Sequence, residues 1–238
     1  MASLRSYAQC IGLDQDFSLL HDFFGLLSVP VIKELSVRQQ MARLDGRHFH
    51  VNVILVGSDA FTGSDLDDVN DAVIGTREIY GKVGVGVGRV RWFEIPVNMA
   101  QGHDDISSDD EAVELTNAWT VHNNGLDVFV VRQDWSEDGE THDGLSDQEA
   151  SCDKDAGKSM SGSVVSLGGF MTALTMAHEI GHDLGLEHIV DLDLDELDEA
   201  TPEQIENLMF PFGTPASRLI YPFQVAIILT HCRMRPGC

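Results

Sequence analysis

The sequence predicts an α/β chain whose strands gather into one mixed sheet with helices packed on it, and three observations carry that prediction. Short β-branched runs flanked by glycine or turn residues recur along the chain, at 49–57, 81–95, 126–134 and 162–169. Capped amphipathic stretches separate the first three of these runs, which gives an alternating order expected of α/β layers. The 238 residues are 43% hydrophobic, enough to bury a sizeable core in one large domain or a domain of two lobes.

Each element has its own local reason. FHVNVILVG (49–57) is aromatic and β-branched and ends at a glycine, so it reads as a strand. Ser64 precedes DLDDVNDAVIGTREIYG, with acids in the first turn and apolar residues at Leu66, Val69, Val73 and Ile74, a capped helix. GKVGVGVGRVRWFEI (81–95) has alternating glycines, but no helix follows a glycine fingerprint and no Gly-Lys-Ser/Thr closes it. It reads as a second strand with one small-residue face rather than a phosphate loop. SSDDEAVELTNAWTV (107–121) is a second capped helix and LDVFVVRQD (126–134) a third, buried strand. Residues 134–162 are rich in Gly, Asp and Ser and read as a surface loop. GSVVSLGG (162–169) is a short last strand, and FMTALTMAHEIGHDLGL (170–186) begins the next helix. Thr201-Pro202-Glu203-Gln204 makes a capping-box start for a short helix, and PFQVAIILTHCRM (222–234) is a final helix with Pro222 in its first turn. Residues 1–45 read as a separate, mostly helical segment of unknown role.

Charge and composition restrict the partners. Fifteen Lys+Arg against 39 Asp+Glu leave a formal charge of -24, a field that repels nucleic acid and anionic membrane surfaces. No run approaches eighteen apolar residues, so no transmembrane helix is expected. The first twenty residues lack the apolar core of a signal peptide; either the chain is not exported by that route or a leader has been removed. Cys10, Cys152, Cys232 and Cys238 contain no CxxC spacing, which argues against a cysteine zinc site. Disulfides and buried free thiols both remain open.

The chemistry is concentrated in AHEIGHDLGLEH (177–188). On a helix His178 and His182, four apart, project from one face, a spacing that lets both imidazoles bind one ion. Glu179 is placed beside the metal without ligating it. Gly185 accepts the left-handed conformation that ends a helix, so the chain can turn and bring His188 in as a third ligand. Three neutral nitrogens leave a fourth position open, as in catalytic rather than structural zinc sites. The other histidines, His21, His48, His50, His103, His122, His142 and His231, are scattered and are not assigned to metal.

This extended HExxHxxGxxH signature resembles the metzincin clan of zinc endopeptidases. The resemblance implies a Met-turn, for which Met209 in ENLMFPFG stands at the right place. It also implies a metzincin-like α/β (α+β) fold: a twisted mixed sheet with helices in an upper lobe (about 46–187), a small, mainly irregular and helical lower lobe (about 188–238), and an active-site cleft between them. The helix near 108–121 departs from the clan pattern, as does Ile189 after the third histidine. Pro211 after Met209-Phe210 is more similar to matrixins and pappalysin-like enzymes than to astacins.

The resemblance further implies zinc on His178, His182 and His188 and a general base at Glu179, with protein or peptide as substrate and the chain acting as a secreted monomer. Substrate would pair as an added strand along an edge supplied by the stretch before the zinc helix or by the loop of residues 140–166. The segment after the Met-turn would shape a side-chain pocket, with Arg218 and Tyr221 as polar candidates. DLDLDELDEA (191–200) could supply calcium ligands, although it lacks EF-hand spacing and a solvated acidic loop is favoured. AQCIGLD around Cys10 matches poorly with the thiolate switch of latent metzincins. A non-proteolytic zinc-fold binding module and a zinc amidase acting on a non-peptide substrate are the competing functions. The intact Glu179 argues against the first, since pure recognition needs no general base.

Overall fold

The computed structural model describes residues 46–137, 140–147, 152, 154, 160–192 and 194–237. The expected N-terminal helical segment, with Cys10, and Cys238 lie outside the described residues. The chain runs β1 (His48–Val56), α1 (Gly63–Gly81), β2 (Gly86–Ile95), α2 (Asp109–Ala118), β3 (Gly125–Val131), β4 (Trp135–Glu137), β5 (Glu140–His142), β6 (Gly144–Leu145), β7 (Ser163–Ser166), α3 (Thr172–Asp183), α4 (Pro202–Glu206) and α5 (Pro222–Thr230). The main sheet has five strands in the order β2-β1-β3-β7-β6; β1, β2, β3 and β7 are mutually parallel and β6 runs antiparallel to β7 at the edge. This is the mixed α/β sheet that the sequence predicts.

All nine residues of β1 are buried, because helices or loops cover both faces of the sheet. Phe49, Val51, Val53 and Leu55 point to one side, into a cluster with Val69 and Val73 of α1 and Leu174, Ala177 and Ile180 of α3. Ile54 and Val56 point to the other, against Ala112 and Leu115 of α2 with Trp119 and Trp135. The helix that departs from the clan pattern therefore closes the second face of the sheet.

Boundaries shift where caps decide them. Thr62, not Ser64, starts α1: its hydroxyl accepts from Asp65 N (3.2 Å) and Asp65 Oδ2 accepts from Thr62 N (2.7 Å). The last helix stops at Thr230 rather than 234, and the next residue, His231, is already extended. The stretch 134–162, expected to be loop, contains the two-stranded β4/β5 hairpin and the edge strand β6. Strands of two or three residues are too short to leave a periodic signature against a polar background. Cys152 and Cys232 form a disulfide that ties this stretch to the chain after α5. No helix among the described residues is long and apolar enough to cross a membrane.

Candidate active site

Helix α3 enters through a 3-10 turn at Gly169–Met171 and ends in a Schellman turn. Leu186 N donates to Gly181 O (2.9 Å) and Gly185 N to His182 O (2.8 Å), with Gly185 at φ 87. The turn reverses the chain and brings His188 back over the helix. The three Nε2 atoms of His178, His182 and His188 then lie 3.1 to 3.2 Å from one another.

Nε2 lone pairs at that distance repel unless a cation or a proton lies among them, and the donor set suits a cation. A tetrahedral ion with nitrogen ligands at roughly 2.0 to 2.1 Å would space them roughly 3.3 Å apart. Nδ1 of His178 faces Leu208 O (2.8 Å) and Nδ1 of His182 faces Leu186 O (2.7 Å). A carbonyl only accepts, so each Nδ1 carries the proton and each Nε2 presents a lone pair. Burial, then the neighbouring imidazoles, push His178 down to about 3 and His182 down to about 4. Burial also lowers His188, against Asp191, which raises it. The rings are thus neutral donors near neutral pH, and zinc fits the residues present.

Glu179 sits beside the triad on the same helix. Burial drives its carboxyl up to about 8, against the Ser146 hydroxyl, which lowers it by donating to Oε2 at 2.6 Å. A cation at the triad would favour the carboxylate again. Asp183, on the inner side of the helix end, is pushed up by burial to about 7, with Ser163 donating to it and opposing the shift.

These shifts fix a pH dependence for the metal-free protein. Below about pH 6.5 the unfolded chain gains protons on the three histidines whose protonation the fold disfavours, while the fold keeps protons on two acids that the unfolded chain loses, so the contributions oppose one another. As pH rises past 6.5 the histidine contribution fades and the two acids dominate: the folded state holds more protons on them, and stability falls as pH rises towards about 8. Thermal melts of chelated protein should show this decline, and a flat or rising curve over pH 6.5 to 8 would contradict the burial of Glu179 and Asp183.

Met209 is fully buried beneath the helix. A Cβ on Gly181 would lie 2.5 Å from Met209 Sδ, so the glycine inside HEIGH lets the methionine pack against the helix backbone. Gly181→Ala should therefore destabilise by about 1 to 3 kcal/mol through overpacking and loosen metal binding, measured by melting and by zinc titration. Wild-type behaviour in both would place Met209 elsewhere in solution. The turn is fixed by side chains: Met209 N donates to Asn207 Oδ1 (2.9 Å), and Asn207 and Gln224 exchange two amide hydrogen bonds (2.8 and 3.0 Å). Ile189 N donates to Met209 O (2.9 Å), joining the chain after the third histidine to the turn.

A cleft of about 410 Å³ opens over the triad. Gly144, Leu145 and Ser146 line one wall, while Pro211, Phe212, Gly213 and Ser217, from the segment after the Met-turn, also line it. Strand β6 is terminal in the sheet order, and among the described residues its outer edge pairs with nothing. Ser146 and His142 also line the cleft, and neither is singled out by sequence motif.

Arg218 and Tyr221 are not brought to this cleft. Arg218 N and Leu219 N both donate to Glu206 O (2.9 and 2.8 Å), which turns the segment back towards α4. The Arg218 guanidinium lies 5.0 Å above the Phe170 ring centre, and Tyr221 Oη donates to Glu203 O (2.6 Å). Among the described residues, ligand-type side chains converge in threes at the histidine triad and at Cys152, His231 and Cys232. The second set has both sulfurs in the disulfide. Among its described residues, the acidic stretch 191–200 supplies no such group.

A mixed α/β sheet backed by an HExxH helix, with three converging imidazoles and a buried methionine below, defines a metzincin-like metallopeptidase fold. Residues 69–189 match the family described as Metallo-peptidase family M12B Reprolysin-like, and the chain belongs to that family. No curated protein matches the chain significantly. Among solved structures, the fold is similar to that of metalloproteinase-II from Bacteroides fragilis, with 14% identity and a TM-score of 0.51. The match covers 78% of this chain and 53% of that one, so the chain spans about half of the solved protein's length.

Proposed function

We propose that the chain is a zinc-dependent endopeptidase in which His178, His182 and His188 hold the metal and Glu179 is the general base. The observation that carries this reading is the closure of three Nε2 atoms to 3.1 to 3.2 Å on the floor of a cleft, with a carboxyl group on the next residue after the first histidine. Zinc, when bound there, supplies Lewis acidity and activates water near neutral pH. Glu179 accepts the proton of the attacking water and returns it to the departing amine. The open edge of β6 holds an extended peptide by main-chain hydrogen bonds, which favours cleavage within a chain over trimming of an end. Leu208 O and Leu186 O keep the imidazoles in the tautomer the metal needs.

The disulfide between Cys152 and Cys232 supports an oxidising, extracellular setting. Within the clan, Pro211 after Met209-Phe210 supports a Met-turn built as in matrixins and pappalysin-like enzymes, on a chain of the reprolysin-like family.

Incubation of zinc-loaded protein with a peptide library tests the proposal. Internal cleavage is expected, abolished by o-phenanthroline and restored by added zinc. Tight peptide binding without cleavage would instead favour a recognition module, and release of amines only from non-peptide amides would favour an amidase.

A further inference from the structure

Two side-chain hydrogen bonds, one helical turn apart, clip the edge strand to the helix that carries the triad. Thr175 Oγ1 donates to Asp143 Oδ2 (3.0 Å), and Ser146 Oγ donates to Glu179 Oε2 (2.6 Å). Between the clips Gly144 has no side chain. A Cβ there would lie 2.6 Å from both Glu179 Oε1 and Thr175 Cγ2, and 2.9 Å from Glu179 Cγ. The strand backbone therefore lies directly on the glutamate, and the hydroxyl two residues further on holds the carboxyl from the other oxygen. A free glutamate has several rotamers open to it, and only those aimed at the reacting water can take its proton.

From this we infer that Ser146 is the positioning residue of Glu179, so that the strand that receives the substrate also aims the base. Glu179 can accept more than one hydrogen bond, and the Ser146 hydroxyl fills one site while leaving lone pairs for water on the cleft side. Bonds to an ionised acceptor are the stronger kind, so one hydroxyl is enough to select a rotamer. The arrangement also accounts for Gly144: a larger residue would push Glu179 off the strand and break the Ser146 contact. This role rests on the peptidase reading above.

The test compares full-length, zinc-loaded wild type with Ser146→Ala and Ser146→Thr. Ser146→Ala should lower kcat for a fluorogenic peptide about tenfold or more, with KM within about twofold, zinc content unchanged and the melting temperature lowered by no more than about 5 °C. Ser146→Thr, which keeps the hydroxyl, should recover most of kcat. Independently of turnover, a peptide hydroxamate, whose protons need a correctly held carboxylate, should bind Ser146→Ala about tenfold more weakly by calorimetry. Unchanged kcat and hydroxamate affinity in Ser146→Ala would overturn the inference, as would equal losses in the Thr and Ala variants. A rise in KM with kcat intact would also overturn it, by making Ser146 a substrate contact. If wild type cleaves no peptide, the peptidase reading fails, and the hydroxamate comparison alone still decides whether Ser146 positions the carboxyl.

Discussion

Glu179→Ala is expected to lower kcat/KM by roughly 10³-fold or more while the protein still binds about one zinc per chain, as a general base contributes roughly 10² to 10⁴ in rate. Activity and metal binding separate because the histidines and Glu179 have different supports. His178 and His182 are held through Nδ1 by Leu208 O and Leu186 O, neither of which involves the glutamate. The Glu179 carboxyl is held by Ser146. Its removal also takes away a group that burial pushes up to about 8, so the metal-free variant should lose much of the stability decline between pH 6.5 and 8, leaving the part due to Asp183. Metal analysis, peptide kinetics and chelated melts on one preparation read all three outcomes. Activity near the wild-type level would remove Glu179 from the mechanism, whereas loss of zinc along with activity would make it part of the metal site.

The histidine triad was legible because each spacing has a mechanical consequence. Four residues on a helix put His178 and His182 on one face, and a glycine three residues later ends the helix so that His188 can return. Those consequences do not depend on the remainder of the fold. Met209 was legible only through the resemblance, since one buried methionine is ordinary core material. Its seat was not legible: Gly181 lies at a variable position of the signature, and its close approach to Met209 Sδ is a three-dimensional fact.

Ser146 was missed for the same reason. It stands 33 residues from Glu179 in a polar stretch with no periodicity, and only the antiparallel pairing of β6 with β7 carries it to the helix. A serine among many serines has no local signal. Arg218 and Tyr221 show the opposite error, as charge and aromaticity suggested a pocket while backbone bonds to Glu206 O turned that segment away. The covering of both sheet faces was readable in the uniformly apolar second half of β1, but His48, His50 and Asn52 in its first half gave no hint of the polar core they enter.

That polar core carries the second large effect: Asp127→Ala should destabilise the protein by about 3 to 5 kcal/mol, the range for leaving one member of a buried pair without its partner. Asp127, on β3 opposite Asn52 of β1, is 1% exposed. It accepts from Asn52 Nδ2 (2.6 Å), Thr120 Oγ1 (3.0 Å), Val121 N (2.8 Å) and Lys154 Nζ (2.7 Å). Lys154 has a side chain 8% exposed, and burial lowers its pKa while Asp127 raises it. Without Asp127 the ammonium keeps Val121 O (2.8 Å) but loses its counter-charge. At roughly 2 to 4 °C per kcal/mol for a chain of this size, the melting temperature should fall by roughly 6 to 20 °C. Asp127→Ala combined with Lys154→Met should recover much of that loss, because the second change removes the stranded charge. Equal melting of the single and double variants would show that the ammonium finds water in the folded state; a single variant within about 1 kcal/mol of wild type would show that the pair adds little to this fold.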